Sequence, residues 1–370
     1  MKGYYINFGN KEVNLNKKIK MQMDYLSKYF EINIIQADYF GGSAKLSTIL
    51  YRIPLLNIPR FDFCGLFKKL EVPDFIYFRK FTTDLNIIQF LKSVKKKFPA
   101  CKILIEIPTF PYYKEQYTPV YNYTLFPKDV MYSKMYRKYV DRFVTYSTDD
   151  MIFGVKTIRT INGVDTDNFT VISPRNDDNE IHLLAIAMFQ RYHGYERIIE
   201  GIHRYYSDGG QREIKLFMVG DGSELPYYRE LTSQYKLEDR VVFYGKLQGG
   251  ELDKIYDNSD IGLGTFGFYK IGIETASSLK TKEYLSKGLP IVAGSIESFV
   301  NDEISNYYHA FANDSSPISM QQVIDFYDQI SEENGRDKKV IANKIHSVAV
   351  ANVSMDVTLK PIVDFLTSGK

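Results

Sequence analysis

The sequence predicts an α/β protein of two domains, each a mostly parallel sheet covered by helices. Three observations predict it. Apolar strand-like runs alternate with longer amphipathic stretches along nearly the whole chain, the pattern of successive βα units. The 370 residues are too many for one ordinary core and suit two. A polar stretch, SPRNDDNE (Ser173–Glu180), breaks the alternation near the middle and reads as a linker. The expected domains are therefore residues 1–172 and 180–350.

In the first domain the expected strands are Gly3–Phe8, Glu31–Gln36, Phe75–Arg79, Lys102–Ile107 and Arg142–Tyr146. The helix Lys17–Tyr29 is justified by Ile19, Met23, Leu26 and Phe30 on one stripe, and Leu85–Phe98 repeats the pattern before Pro99. The segment that closes this domain ends in Asn162-Gly163, a tight-turn signal. The second domain reads as strand His182–Met188, helix Tyr195–Tyr206, strand Ile214–Val219, helix Leu225–Tyr235, strand Val241–Tyr244, helix Gly250–Asn258 and strand Ile261–Gly264. Helix Ser278–Lys287, strand Ile291–Ala293 and helices around Gln321–Ser331 and Asp337–Val348 follow. Two such Rossmann-like domains place ligand crevices at the carboxyl ends of their strands, facing a shared central cleft. The apolar segment after Met355 is expected to form a helix (355–370) that packs back on the first domain.

Composition narrows the function. No run reaches the roughly 18 apolar residues of a membrane span, and MKGYYINFG reads as a strand rather than a signal peptide, so a cytoplasmic location is expected. Cys64 and Cys101 lack metal spacing, and all five histidines (His182, His193, His203, His309, His346) lie in the second half. No metal and no cofactor are implied. The net charge of +2 hides an asymmetry: up to Arg175 there are 27 Lys and Arg against 16 Asp and Glu, and beyond it 20 against 29. Basic stretches with interleaved apolar residues, Arg52–Leu70, Ser93–Phe98 and Tyr132–Tyr139, suit an anionic membrane surface at its inner face. No nucleic-acid motif is present, and nucleic acid is not an expected partner.

The chemistry concentrates in IGIETASSLKTKEYLSKGLPIVAG (Ile271–Gly294). Ser277 and Ser278 can cap a helix whose first turn, with Leu279 and Lys280, offers free N–H groups to an anion. Glu283 follows three residues later on the same face, so a diphosphate near Lys280 and a neutral hydroxylated group near Glu283 fit one surface. A sugar nucleotide has both parts. A second basic turn follows strand His182–Met188, where Arg191, His193 and Arg197 surround Gly194. Gly220, in Val219-Gly220-Asp221-Gly222, and Gly245 mark further strand-end turns, and Gly9 follows the first strand.

Together, EIPTFPYYKE (Glu106–Glu115), FGVKTIRTINGVD (Phe153–Asp165), RYHGYER (Arg191–Arg197), MVGDG (Met218–Gly222), VVFYG (Val241–Gly245) and ASSLKTKEYLSKGLPIV (Ala276–Val292) resemble retaining glycosyltransferases of family 4, which have the two-domain GT-B fold. The likeness is to the branch that builds bacterial surface and capsular polysaccharides. The resemblance implies metal-independent transfer of a hexosyl unit from a UDP- or GDP-sugar to a glycan or lipid-linked acceptor. By its motifs Glu283 holds the nucleotide ribose, while Lys280 and the backbone after Ser277 lie near the diphosphate. Arg191 and His193 face the phosphates, with His193 where the family has a lysine. The leaving phosphate itself helps to accept the acceptor's proton.

The chain departs from the family pattern. The first glutamate of the Glu, seven residues, Glu spacing falls at Thr275, and the nearest carboxylate is Glu274, assigned here to the donor sugar's hydroxyls. The family's arginine before the lysine has no match in AIAMF (Ala185–Phe189), and the first half has no histidine, which leaves Glu106 either as a candidate on the acceptor side or as a structural hydrogen-bonding residue. Two other functions stay open: a sugar-nucleotide 2-epimerase, and a catalytically inactive GT-B partner subunit. A dehydrogenase is disfavoured, since no Gly-x-Gly-x-x-Gly follows the first strand.

Overall fold

The computed structural model describes residues 1–9, 17–53, 57–108, 110–112, 119–175, 179–274 and 276–368. The chain divides into two compact units, Met1–Ile161 with the chain from Thr358 onward, and Asn162–Val357.

In the first unit, β1 (Lys2–Asn7), β2 (Glu31–Gln36), β3 (Phe75–Arg79), β4 (Lys102–Ile107), β5 (Arg142–Thr145), β6 (Met151–Ile152) and β7 (Val155–Arg159) form a sheet ordered β2-β1-β3-β4-β5-β7-β6. All neighbours are parallel except the β6/β7 hairpin. Helices α1 (Lys17–Leu26), α2 (Ala44–Tyr51), α3 (Phe63–Lys68), α4 (Leu85–Lys97) and α5 (Pro119–Ser133) accompany it. The α1 stripe is core, with Ile19, Met23, Leu26 and Phe30 all buried. Helix α4 starts where Asp84 accepts the Ile87 N–H at 2.9 Å. The β6/β7 hairpin was not expected, because its turn is Phe153-Gly154, both at positive φ. Phenylalanine is a poor turn residue, but here its ring packs edge-on against Phe110 and Phe143, which offsets the strain.

In the second unit, β8 (Glu180–Met188), β9 (Glu213–Asp221), β10 (Val241–Gly245), β11 (Ile261–Leu263), β12 (Ile291–Ala293) and β13 (Tyr308–Ala310) form a sheet ordered β10-β9-β8-β11-β12-β13. Every pairing is parallel. Helices α6 (Glu196–Ser207), α7 (Leu225–Gln234), α8 (Gly250–Asp257), α9 (Leu279–Lys287), α10 (Asp302–Ser305), α11 (Met320–Glu333) and α12 (Lys338–Val353) cover both faces. Ile181, Leu183, Leu184 and Ala185 of β8 are all fully buried, as a central strand covered on both faces requires. The strand order reverses between β8 and β11, so the switch-point crevice of this unit lies at their carboxyl ends.

The units part earlier than the polar stretch suggests. Residues after Ile161 already belong to the second unit: the Val164 N–H donates to Val353 O at 2.9 Å, Ile172 to Lys287 O at 3.0 Å, and Ser173 to Asp257 Oδ1 at 2.8 Å. The polarity of this stretch does not mark the border. Residues 176–178 of that stretch, and 109 and 113–115 of EIPTFPYYKE, lie outside the described residues. The last helix, α13 (Met355–Thr367), carries the chain from the second unit into the first. Leu359, Ile362 and Leu366 are buried there, and Lys102 Nζ donates to the carbonyls of Phe365, Leu366 and Ser368 at 2.7–2.9 Å.

Gly3 of β1 shows how tightly the first sheet is packed. A Cβ there would stand 2.1 Å from Cζ of the buried Phe75 ring. Gly3→Ala is expected to cost about 1–3 kcal/mol, read as a lower denaturation midpoint at unchanged slope.

Candidate functional site

The loops that follow β8 and β11 are laced together by main-chain bonds. Phe266 N–H donates to His193 O at 2.8 Å and Gly267 N–H to Tyr192 O at 3.1 Å. This approach is the reason for Gly194, which has φ +68° and would set a Cβ 2.6 Å from the Gly267 nitrogen. The lacing brings the Arg191–His193 turn and Tyr195 to the β11 loop, which leads into α9.

Lys280 sits in the first turn of α9. Its Nζ donates to Tyr195 Oη at 2.9 Å and to Gly264 O at 3.0 Å, and lies 5.3 Å from the centre of the Tyr195 ring. Burial pulls its pKa down to about 7, against the opposing pull of the Glu297 carboxylate. His193 stacks almost parallel on Tyr195, ring centres 5.8 Å apart. Its Nδ1 accepts the Gln190 N–H at 2.9 Å, which leaves the ring proton on Nε2. Burial first, and then the charge of Lys280, depress its pKa to about 3. His193 is therefore neutral at ordinary pH and carries an uncharged Nε2–H, not the positive charge that a lysine would bring.

The helix cap differs from the sequence reading. Ser278 is the N-cap residue, but neither serine caps with its side chain. The Ser278 N–H instead donates to Glu297 Oε2 at 2.5 Å. Lys282, fully buried, donates to Ser277 Oγ at 2.7 Å and to Ser278 O at 3.0 Å. Asn162 Nδ2 holds the Ser277 carbonyl at 3.2 Å. Glu297, from the loop after β12, is itself 2% exposed; burial raises its pKa, opposed by Lys282 and then by the Ser278 N–H and Lys280. Leu279 is partly exposed at the helix start, and Glu283 is half-buried one turn beyond Lys280.

Arg197 requires a correction. Its guanidinium is 1% exposed and donates to Phe266 O, Ser316 O and Ala312 O at 2.6–3.0 Å and to Asp314 at 3.3 Å. It staples these loops together through four of its N–H groups. Arg191 is exposed, its carbonyl accepting Lys270 Nζ at 3.2 Å. Glu274 is exposed in the loop before α9; Thr275, its rival for the first-glutamate position, lies outside the described residues.

The glycine readings divide. Gly220, at φ +132°, would place a Cβ 1.9 Å from Ala187 O, so it serves the β8/β9 pairing rather than a ligand. Gly245 ends the edge strand β10, two strands from the β8/β11 crevice. Gly9, in the first unit, is exposed, with its N–H on Asn7 Oδ1 and its carbonyl on Gln36. Glu106 is also committed: buried at the end of β4, it accepts the hydroxyls of Tyr77 at 2.6 Å and Tyr146 at 3.0 Å and pairs with Arg79 at 3.5 Å. That arrangement matches the structural one of its two readings. Sequence reasoning missed Glu297, Lys282 and Tyr195. Only Glu297 left a signal, a lone carboxylate just past a strand adjoining β11.

Residues 168–346 match the family model described as glycosyl transferases group 1. The whole chain superposes on a glycosyltransferase from Rickettsia africae with a TM-score of 0.61 at 15% identity, covering 100% of this chain and 99% of that one. It also superposes on Anabaena HepE in complex with UDP (TM-score 0.60, 12% identity) and on the lipopolysaccharide outer core galactosyltransferase WaaB (0.60, 12%), with complete coverage of both chains in each case. The fold is GT-B. No curated protein sequence matches the chain significantly.

Arg197→Ala removes a buried guanidinium that ties together the Phe266, Ala312 and Ser316 carbonyls, and is expected to destabilise the protein by about 3 kcal/mol. An unchanged urea midpoint would mean the guanidinium is free for a ligand after all.

Proposed function

We propose that the protein is a retaining glycosyltransferase. It takes a hexosyl unit from a nucleoside diphosphate sugar held on its second unit and transfers it to a hydroxyl of a glycan or lipid-linked oligosaccharide, in the synthesis of a surface polysaccharide. One observation carries the reading. The N-terminal turn of α9, Lys280 and the Arg191 turn converge at the carboxyl ends of β8 and β11, in the unit whose sequence matches the group 1 family.

The chemistry follows from what must be stabilised. As the sugar–phosphate bond breaks, negative charge builds on the departing nucleoside diphosphate. In this reading the N–H groups of Leu279 and its neighbours, the Lys280 ammonium and the exposed Arg191 guanidinium compensate it, and no metal ion is required. His193 adds an uncharged Nε2 donor. Glu283 serves the ribose hydroxyls and Glu274 the hydroxyls of the sugar. No side chain is assigned as base; the leaving phosphate accepts the incoming hydroxyl's proton on the face it departs from.

The deciding experiment is nucleotide release from a panel of UDP- and GDP-sugars, with chelator present, with and without a membrane lipid extract. Release from one donor, increased by lipid, is the expected result. Two of the four expected cationic contacts are missing, since His193 is neutral and Arg197 is buried in structural bonds. For that reason the inactive-partner reading keeps a place: no release and no nucleotide binding would establish it.

Lys280→Ala and Glu283→Ala are each expected to lower donor turnover at least tenfold while the melting temperature moves little. Lys280 also predicts a pH dependence. With its pKa near 7 in the free protein, it loses its proton as pH rises through that value, so UDP binding should weaken from about pH 7 upward. Lys280→Met should bind weakly and lose that decline, which separates it from the nucleotide's own ionisation.

The basic first unit is proposed to rest on anionic headgroups at the inner face of the membrane. Within Lys95–Lys97, Lys95 is already paired with Asp141 at 2.7 Å, so Lys96 and Lys97 are the residues available for this contact. Neutralising both should weaken binding to anionic vesicles at low salt and leave it unchanged at high salt.

A further inference from the structure

The first unit holds an open cavity of about 340 Å³ between the start of α3 and one side of α4. Phe40, Phe61, Phe63, Phe67 and Phe90 line it, and the exposed thiol of Cys64 stands in its wall. Such a volume is near the lower end of the roughly 300–1,000 Å³ of small-molecule pockets, large enough for one slender apolar group and too small for a two-chain lipid.

Charge at the rim narrows the occupant. Gln89 and Ser93 of α4 border the cavity, and Lys97 continues their i, i+4 row. Its Nζ lies 5.1 Å from the ring centre of Phe67, at the cavity edge. Arg60 lies beside the rim residues Pro59 and Phe61, its guanidinium carbon 5.3 Å from the Phe61 ring centre and its buried Nε without a hydrogen-bond partner among the described residues. Neither cation pairs with a carboxylate among the described residues. The one acid in the lining, Asp62, caps α3 by accepting the Gly65 N–H at 2.9 Å. Apolar walls with unpaired cations at the edge suit an amphiphile with an anionic head.

We propose that this cavity binds a single hydrocarbon chain bearing a phosphate, the chain among the phenylalanines and the phosphate at Lys97. The inference rests on the lipid-linked acceptor in the proposed function, for which it supplies a seat. Its test involves no nucleotide, so either reading can fail alone.

Cys64 gives the readout, with the buried Cys101 as internal control. The full chain is alkylated with N-ethylmaleimide and the rate at each cysteine followed by mass spectrometry. The probes are dodecyl phosphate below its micelle concentration, dodecanol, inorganic phosphate and phosphatidylglycerol vesicles. Dodecyl phosphate at ten times its dissociation constant should slow Cys64 alkylation about tenfold. Dodecanol should protect less and phosphate not at all. Ser93→Trp, at an exposed rim position, should fill the mouth and abolish protection; Lys97→Glu should weaken it while all five lining phenylalanines remain. An unchanged Cys64 rate with dodecyl phosphate overturns the proposal, as does equal protection by dodecanol. Protection by vesicles alone would replace the single-chain site with a membrane-docking face, and full protection in Ser93→Trp would put the amphiphile elsewhere.

Discussion

The close main-chain approach of the loops after β8 and β11 is the constraint on which the candidate site depends. Two N–H···O bonds close it, from Phe266 to His193 and from Gly267 to Tyr192, and the missing side chain of Gly194 permits it. From that contact Tyr195 is fixed, and on Tyr195 rest both the His193 ring and the Lys280 ammonium. Arg197 secures the same loop from below through the Phe266 carbonyl. Residues far apart in the chain become one surface because the parallel sheet reverses its strand order at this point.

Burial then sets the electrostatics. Three ionisable groups, Lys280, Lys282 and Glu297, are packed around one helix start, where each would be costly alone. Glu297 holds the Ser278 N–H and opposes the depression of Lys280, while Lys282 grips the two serines from behind. Because Lys280 is poised near neutrality, an arriving diphosphate would favour its ammonium form and strengthen the contact that binds it. His193, buried and with a lysine close by, stays uncharged.

Much of this was legible in the residues. Period-two and helical patterning gave most strands and helices of both sheets, and the serines, Lys280 and the Gly288-Pro290 stop marked α9 with its strand. Tyr195 and Lys282 read as an aromatic and a surface cation, because nothing local distinguishes a tyrosine that will support a lysine or a lysine that will be buried. Arg197 illustrates the opposite failure. Its place beside a basic turn suggested phosphate, yet the carbonyls that take its N–H groups come from Phe266, Ala312 and Ser316, distant in sequence. The border between units also escaped, since composition records exposure and not which sheet a segment packs against.

The sequence by itself determined the α/β class, the two parallel sheets, and a cationic helix start with a glutamate one turn further on. Those are properties of short windows, where propensity, periodicity and capping act between near neighbours. Only the tertiary structure decided which charges remain available. It buried Arg197, neutralised His193, shut Glu106 among tyrosines and set Glu297 behind α9. A side chain's protonation and freedom depend on the dielectric and the partners around it, and partners brought together by long-range packing leave no mark in the neighbouring residues.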